Sequence, residues 1–370
     1  MTSRAFERDA LRIGVLAPPW VSVPPVGYGG TERVIDRLAR GLRSAGHDVR
    51  LWTTGDSSCP VPVGFTYPTA RTQAMGTSSI ELKHTLEGYE WFANEQCDVI
   101  HDHTLVGPLL GRASAPVTTT HHCRFDNPEF ATIFGRLDAT VPIIAISRDQ
   151  ASIAARLGIR VAHVIHHGID VADVPVGDGL GDDRGRYLLF LGRMSPDKGV
   201  LEAIEIARAA GHRLLVAAKM RSADEIAFYR DVVASRFGGS IEYVGEVRGA
   251  DKDRLIGAAT ALLNPIQWPE PFGLVMIEAL AAGTPVISTR WGAASEIVEH
   301  GRTGFLSDDP DALVRAVRSV ERLDRRACRD DIAKRFSVDE MVSRHVGAYR
   351  ELLTGQGRAH RAFTQQLSLV

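Results

Sequence analysis

The residues that decide the fold are 192–199, Gly192-Arg193-Met194-Ser195-Pro196-Asp197-Lys198-Gly199, which follow an apolar run and precede a helical pattern. An apolar run, a turn with glycine and a helix in succession predict a β-strand, a loop and an α-helix of a parallel sheet. Ligands of open α/β sheets bind beyond the carboxyl ends of the strands. Arg193 and Lys198 would place two cations there, enough to neutralise a diphosphate without magnesium. A solvated loop with two surface charges is the alternative.

The same alternation of apolar runs and helical patterns continues on both sides of this loop and predicts an α/β protein with parallel sheets. The predicted strands are 11–17, 48–53, 98–101, 117–120, 142–146 and 163–165, then 187–191, 213–217, 241–244, 261–264 and 285–288. The clearest predicted helices are 32–45, 199–210 and 274–282. Two halves with the same order of elements imply two Rossmann-like domains that face each other across a central cleft.

A stretch dense in glycine and aspartate, 171–186, separates the two halves. The predicted parts are an N-terminal domain 1–170, a linker 171–186 and a C-terminal domain 187–354. Ser337, followed three residues later by Glu340, is a capping box that opens a last helix ending near Leu353. We expect this helix to pack back toward the N-terminal domain, and the tail 355–370 to be mobile.

Composition excludes several classes of protein. Of the 370 residues, 44% are hydrophobic and 24% charged, and no apolar run is long enough to cross a bilayer. The 43 lysines and arginines balance 45 aspartates and glutamates, so the net charge does not indicate a nucleic-acid partner. Residues 1–12 lack the apolar stretch of a secretory signal, and we expect a cytoplasmic protein. The spacing of Cys59, Cys97, Cys123 and Cys328 suits neither a disulfide framework nor a zinc site.

A second candidate site is the glycine-rich loop 24–31, between the first predicted strand and the first long helix. Glycines such as Gly29 and Gly30 let backbone N–H groups approach a phosphate at the helix N-terminus. The loop lacks the third glycine of the dinucleotide fingerprint, which disfavours a Rossmann dehydrogenase. A tight turn without a ligand is the alternative.

A third candidate site is the segment 268–278, which runs from a proline-rich turn into a helix. Glu270 lies in the turn and Glu278 in the helix, and each carboxylate can accept hydrogen bonds from hydroxyl groups such as those of a sugar. The helix N-terminus at 273–275 offers N–H groups to anionic oxygens. The alternative for Glu278 is a helix glutamate paired with a neighbouring side chain.

Histidines that follow neighbouring predicted strands allow a different interpretation. His101, His103, His121 and His122 could converge on a metal ion. No carboxylate or cysteine spacing supports such a site, and a packed residue at the strand end is the alternative for His101. The sequence therefore favours a protein without a bound metal.

The first long helix carries an arginine stripe, defined as Arg33, Arg37, Arg40 and Arg43. Such a stripe could attract an anionic membrane surface or an anionic acceptor. Acidic residues interleave with it and no aromatic anchors accompany it, so a solvated face is the favoured interpretation.

Taken together, the motifs resemble glycosyltransferase family 4, whose members are retaining enzymes with the GT-B fold. The matching stretches are Gly29-Gly30, Gly192-Arg193 with Lys198-Gly199, Glu270-Pro271-Phe272-Gly273 with Glu278, and 281–286. The resemblance extends from Leu11 to about Leu353, and the motifs keep the order found in the family. Residues 288–296 match the next loop of the family, except that Ala293 stands where a second glycine is common.

The resemblance implies a role for each matching residue. Arg193 and Lys198 would bind the diphosphate of the donor, and Glu278 would bind its ribose. At the transferred sugar the resemblance places Glu270 and the backbone of Phe272, Gly273 and Leu274, and the N-terminus of the helix continues to Val275. Gly29 and Gly30 would close over the phosphates.

On the N-terminal side, Thr119-Thr120-His121-His122 resembles the Thr-x-His of the family. This match assigns His121 to the donor sugar, beside the reaction centre. The acceptor would meet loops around Tyr28, Arg124 and Asn127.

The function implied by the resemblance is a metal-independent retaining hexosyltransferase that needs no cofactor. Its donor would be a nucleotide-diphosphate sugar of the GDP-mannose or UDP-glucose type, and its acceptor a carbohydrate or a small molecule. Without a carboxylate pair suited to a covalent intermediate, the leaving diphosphate would act as the base. A GT-B sugar phosphorylase and a non-catalytic nucleotide-sugar-binding protein are the alternatives.

Overall fold

The computed structural model describes residues 10–27, 29–111, 113–137 and 141–367, with the backbone alone for 356–367. The chain divides into two units. Unit 1 comprises Met1–Gly168 and Val338–Val370, and unit 2 comprises Ile169–Ser337. Each unit has its own parallel sheet.

Unit 1 contains a seven-stranded parallel sheet in the order β3-β2-β1-β4-β5-β6-β7. Its strands are β1 Arg12–Leu16, β2 Asp48–Thr53, β3 Val63–Phe65, β4 Val99–Asp102, β5 Val117–Thr120, β6 Ile143–Ala145 and β7 Val161–Val164. Its helices are α1 Gly30–Ser44, α2 Ser78–Asn94, α3 Pro128–Phe134, α4 Arg148–Arg156 and α12 Val338–Leu367. The order turns back on either side of β1 and β4, as in a Rossmann fold, so ligands are expected at the carboxyl ends of these strands.

Unit 2 repeats this arrangement with six strands in the order β10-β9-β8-β11-β12-β13. Its strands are β8 Leu188–Arg193, β9 Leu214–Lys219, β10 Ile241–Gly245, β11 Ala261–Asn264, β12 Val286–Ser288 and β13 Gly304–Leu306. Its helices are α5 Val200–Ala210, α6 Ala223–Phe228, α7 Gly249–Ala258, α8 Leu274–Ala281, α9 Ala294–Ile297, α10 Pro310–Val317 and α11 Arg325–Arg335. The predicted α/β class with two Rossmann-like units is confirmed.

The last helix packs on the first helix of unit 1, as predicted. Gly41 of α1 shows how close the two helices lie, because a Cβ atom there would be 2.6 Å from side-chain carbons of Val338 and Val342. The helix starts directly after Ser337 and continues to Leu367, so it extends beyond the predicted end near Leu353. Residues 338–354 therefore group with unit 1, which differs from the predicted C-terminal domain 187–354. Of the predicted tail, residues 368–370 lie outside the described residues.

The stretch predicted as a linker, 171–186, lies against unit 2 and is held by two arginines of α11. Arg329 donates to the carbonyl oxygens of Val171 and Val174. Arg325 donates to the carbonyl oxygen of Gly177 at 3.1 Å. These main-chain contacts hold the stretch within unit 2.

The arginine stripe makes contacts within unit 1. Arg33 and Arg37 donate to the carbonyl oxygens of Gly27 and Gly168, at 3.4 and 3.3 Å. Arg40 lies 3.1 Å from Asp36, and Arg43 donates to the carbonyl oxygen of Pro60. No helix of the described residues is both long enough and apolar enough to span a membrane.

Candidate active site

Arg193 and Lys198 lie at the carboxyl end of β8, in the loop that leads into α5. Gly199 closes this loop with a left-handed backbone, φ 76°, and a Cβ atom there would be 1.9 Å from the carbonyl oxygen of Pro265. The loop is also tied to the chain after β11, because the N–H of Gln267 donates to the carbonyl of Asp197 at 2.9 Å. Glycine is therefore required at position 199, and the loop has a fixed position above the sheet.

The guanidinium of Arg193 is flanked by two carboxylates. It donates to Asp197 at 2.8 Å and lies 3.6 Å from Glu225. Glu225 is buried and belongs to a capping box, in which its backbone N–H donates to Oγ of Ser222 at 3.1 Å. About a third of the Arg193 side chain is still exposed, so an anion can approach it from solvent.

Lys198 and Glu270 form an ion pair, and Trp268 joins it. The ammonium of Lys198 and the indole N–H of Trp268 both donate to Oε2 of Glu270, the latter at 3.1 Å. The ammonium also lies 5.3 Å from the centre of the indole ring, within the range of a cation–π contact. We call these three side chains the Lys198–Trp268–Glu270 triad. The structure thus brings together a cation and a carboxylate that the sequence separates by 72 residues.

The main chain around Glu270 is fixed from two sides. Gly292 has φ 62°, and a Cβ atom there would be 2.2 Å from the carbonyl oxygen of Glu270. The N–H of Ala293 donates to the same oxygen at 3.0 Å. Gly273, with φ 100°, then starts α8, whose first residues are Leu274 and Val275.

Phe272 of the same turn is buried against Phe336, with ring centres 6.0 Å apart. Only its main chain can therefore face a ligand, which is the role that the sequence predicted for it. The position of this main chain is set by core packing.

Glu278 lies inside α8 and pairs with Lys252 of α7 at 2.9 Å. Both side chains are mostly buried, with 13% and 16% of their surfaces exposed. Glu278 is thus paired with a neighbouring side chain, as the alternative interpretation of the sequence expected, and its contact with ribose remains a prediction. Lys252 is a candidate residue that the sequence analysis missed, since a single lysine in a polar helix gives no signal.

A third cation stands beside Arg193. Lys219 ends β9 and is the neighbour of Arg193 across the sheet. Burial, and then the nearby positive charge of Arg221, lower the pKa of Lys219 to about 8. Arg193, Lys219 and Arg221 thus lie together at the carboxyl end of the β8–β9 pair, among the carboxylates of Asp197, Glu225 and Glu246.

In unit 1, Gly29 and Gly30 begin α1, as predicted. Gly29 has an extended backbone, and a Cβ atom there would be 2.8 Å from both Glu32 and Pro25. Burial raises the pKa of Glu32 to about 7, so its carboxyl can be neutral near neutral pH. Tyr28 lies outside the described residues.

The two histidines after β5 occupy different surroundings. His121 is buried among Phe125, Phe130 and Phe134, with ring centres 4.3 to 4.9 Å away. His122 is partly exposed, and its Nε2 lies 2.9 Å from Nδ1 of His103. Burial lowers the pKa of both, to about 4 for His121 and about 3 for His122. The packing of His121 is that of a core residue, and a Thr-x-His spacing is also satisfied by Thr120-His121-His122.

The predicted acceptor-side residues carry local structural contacts. Arg124 bonds Asp126 at 2.9 Å and lies 3.8 Å from Asp149. Asn127 is the N-cap of α3, where its side chain accepts from the N–H groups of Glu129 and Phe130. The structure thus gives each of them a structural role, and binding of an acceptor by them remains a prediction.

Five histidines of unit 1 form a cluster, in which four are buried and His122 is partly exposed: His101, His103, His122, His167 and His345. Ring centres of successive members lie 4.1 to 5.3 Å apart. His101 bonds Tyr349 and Thr120, each at 2.8 Å. Within the described ranges, no group of three or more His, Cys, Asp or Glu side chains is placed to hold a metal ion.

Comparison with known families and proteins gives two matches to family descriptions. Residues 28–173 match the family described as "Glycosyltransferase Family 4", and residues 185–322 match "Glycosyl transferases group 1". The first match begins after β1 and covers the other six strands of unit 1, and the second match covers all six strands of unit 2.

Similar proteins span nearly the same length. A phosphatidyl-myo-inositol mannosyltransferase of Mycolicibacterium smegmatis is 28% identical over 83% of this chain and 84% of its own. A glycogen synthase of Mycobacterium tuberculosis is 28% identical over 83% of this chain and 85% of its own. Among solved structures, AviGT4, a glycosyltransferase involved in avilamycin A biosynthesis, is 29% identical, with a TM-score of 0.69 over 93% of this chain and 98% of its own.

Proposed function

Since this chain is a hexosyltransferase that belongs to glycosyltransferase family 4 and has the GT-B fold, we propose that it transfers a hexose from a nucleotide-diphosphate sugar to a carbohydrate or small-molecule acceptor with retention at the anomeric carbon. The observation that carries this proposal is the arrangement in unit 2. Arg193 and Lys198 lie at the carboxyl end of β8, and Lys198 contacts Glu270 directly. Cations for a diphosphate therefore adjoin a carboxylate for sugar hydroxyls.

The donor class is supported by what the relatives transfer. One relative is named as a mannosyltransferase and another as a glycogen synthase, so both mannose and glucose occur among similar proteins. GDP-mannose and UDP-glucose are accordingly the donors to test first. In this proposal Glu278 accepts hydrogen bonds from ribose hydroxyls while Lys252 holds the carboxylate in place. A cytoplasmic location remains a prediction.

The proposed reaction needs neither a metal ion nor a protein nucleophile. The acceptor hydroxyl attacks the anomeric carbon on the face from which the diphosphate leaves. The bond from carbon to acceptor oxygen forms as the bond from carbon to phosphate oxygen breaks, and the acceptor proton passes to the diphosphate. Arg193, Lys198 and the N–H groups at the start of α8 stabilise the charge that develops on the leaving group.

The roles of unit 1 residues in this proposal follow from the family resemblance. Gly29 and Gly30 would meet the phosphates through their backbone. For the histidine beside the reaction centre, the partly exposed His122 fits better than the buried His121, because a side chain among phenylalanines has little access to a ligand.

The proposal predicts that an α-linked donor gives an α-linked product. Attack on the diphosphate face preserves the configuration, and no protein residue becomes glycosylated during turnover. Proton NMR of fresh reaction mixtures with UDP-glucose or GDP-mannose shows the anomer, and mass spectrometry of the enzyme shows any adduct. Turnover should persist in the presence of a chelator. A β-linked product would refute the retaining mechanism.

The two glutamates are predicted to respond differently to removal of their charge. Glu278→Gln should weaken binding of UDP or GDP alone by about 10- to 100-fold, because ribose loses a charged acceptor. Glu270→Gln should weaken binding of the nucleotide sugar by a similar factor, and it should weaken binding of the bare nucleotide diphosphate by much less. Calorimetry with both ligands on both variants measures this difference.

The matched control is Glu299→Gln, which removes an exposed glutamate of the same unit that pairs with Arg302 at 2.7 Å. This variant should bind both ligands as the original protein does. If Glu270→Gln and Glu278→Gln lowered the affinity for the nucleotide diphosphate equally, the assignment of separate contacts to ribose and to the sugar would be wrong.

A further inference from the structure

The indole N–H of Trp268 is the starting point for a further inference. It donates to Oε2 of Glu270 at 3.1 Å, and Lys198 donates to the same oxygen. The pair Lys198 and Glu270 is mostly buried, with 12% and 20% of the side chains exposed. One carboxylate oxygen of Glu270 thus receives both protein donors of the triad.

A bound diphosphate would affect the two hydrogen-bond donors, Lys198 and Trp268, in different ways. The ammonium of Lys198 is attracted to the phosphates, so the ion pair with Glu270 is weakened when a donor binds. The indole of Trp268 carries no net charge and is not drawn to the phosphates in this way. It can therefore remain the partner of Oε2 after Lys198 has turned to the diphosphate.

The backbone around the triad supports a fixed orientation. Prolines at positions 269 and 271 flank Glu270 and restrict the backbone φ angle on both sides of it. The N–H of Ala293 holds the carbonyl of Glu270 at 3.0 Å. With its main chain held there and one carboxylate oxygen held by the indole, Glu270 presents its other oxygen, Oε1, in a defined direction.

We propose that Trp268 is a positioning residue, which orients Glu270 for a hydroxyl of the transferred sugar and thereby favours the sugar-bearing donor over the bare nucleotide diphosphate. The inference rests on the proposed function. It adds a residue outside the Glu-Pro-Phe-Gly motif. The physical basis is preorganisation, since a carboxylate already held in place loses less freedom when a hydroxyl binds.

The experiment compares Trp268→Phe with the original protein. Phenylalanine keeps an aromatic ring beside Lys198 but has no N–H to donate. Calorimetry with UDP, GDP, UDP-glucose and GDP-mannose is expected to show a roughly tenfold loss of affinity for the nucleotide sugar and less than a twofold change for the matching diphosphate. Trp268→His, which restores a ring N–H, should recover part of the loss.

The matched control is Trp52→Phe. The indole N–H of Trp52 donates to the carbonyl of His84 at 2.9 Å in the core of unit 1. This variant loses the same donor and should lower the melting temperature without changing the ratio of the two affinities. Circular dichroism verifies that each variant is folded.

The outcomes separate this inference from the proposed function. If the original protein binds a nucleotide sugar and Trp268→Phe leaves the ratio of affinities unchanged, or weakens both ligands equally, the positioning role is wrong while the proposed function stands. If the original protein binds neither a nucleotide diphosphate nor a nucleotide sugar, the proposed function fails and the inference fails with it.

Discussion

Replacing Arg193 or Lys198 with alanine is expected to lower kcat/KM by about 100- to 1000-fold. Each side chain would stabilise negative charge that grows on the leaving diphosphate, and loss of one such donor costs about 3 to 4 kcal/mol in the transition state. Lys219, which neighbours Arg193 across the sheet, cannot replace it fully, because an ammonium cannot form the bidentate contact that a planar guanidinium makes with a phosphate. Steady-state kinetics with the donor identified by calorimetry gives the measurement.

The two variants are expected to stay folded. Arg193 and Lys198 lie in a loop whose position is set by Gly199 and by the backbone bond from Gln267 to Asp197. Lys83→Ala is the matched control, since it removes an exposed ammonium, 60% of whose side chain is accessible, from a pair with Glu87. It should leave kcat/KM unchanged. Near-normal activity in both loop variants would contradict the assignment of the diphosphate site.

The sheets of both units could be predicted because short segments rich in β-branched or apolar residues alternate with helical patterns in the sequence. Strands such as β2, β5 and β11 have the bounds 48–53, 117–120 and 261–264 that the sequence indicates. Two short edge strands, Val63–Phe65 and Gly304–Leu306, were missed, since a glycine in each leaves too few consecutive apolar residues to give a signal. The last helix also extends further than expected, because the glycine at 355 does not end it.

The candidate site was only partly predictable. Motifs place Lys198 and Glu270 on loops, but their direct contact depends on how two βα loops pack, which no local pattern encodes. Lys252 and Trp268 were not predicted for the same reason. Each contacts a glutamate of the Glu-Pro-Phe-Gly-x-x-x-x-Glu motif from a position outside that motif. The Thr-x-His spacing is met by both His121 and His122, so the spacing alone does not decide which of them lies beside a donor sugar, and the role of His121 remains a prediction.

The second large effect expected is a loss of stability of unit 1 at acidic pH. Burial lowers the pKa of His84, His121 and His345 to about 4 and that of His122 to about 3. Burial also lowers the pKa values of His101, His103 and His167 well below the usual value. All seven belong to unit 1, whose folded form therefore keeps these imidazoles neutral in weak acid.

The direction in which the free energy of unfolding changes with pH follows from how many protons the folded and unfolded chains bind. An unfolded histidine has a pKa of about 6.5, so between pH 6.5 and 4 the unfolded chain binds protons that the folded chain does not. The free energy of unfolding then falls as the pH falls, by about 1.4 kcal/mol per pH unit for each such histidine. Buried acids oppose this effect, since burial raises the pKa of Asp102 and of Glu32 to about 7 and also raises that of Glu81. The histidines outnumber these acids, so the net effect is a loss of stability in acid.

We therefore expect unit 1 to lose at least ~5 kcal/mol of stability between pH 7 and pH 5, a large part of the 5 to 15 kcal/mol typical of a folded domain. Urea unfolding followed by tryptophan fluorescence at a series of pH values measures the slope. His345→Phe removes one titrating ring and should flatten the slope by about one proton. Tyr349→Phe is the matched control, since it loses only the hydroxyl that bonds His101 at 2.8 Å and should lower stability equally at every pH. The same slope of stability against pH in His345→Phe and in the original protein would contradict this account for His345. A histidine contributes to that slope only if the unfolded chain binds a proton there that the folded chain does not.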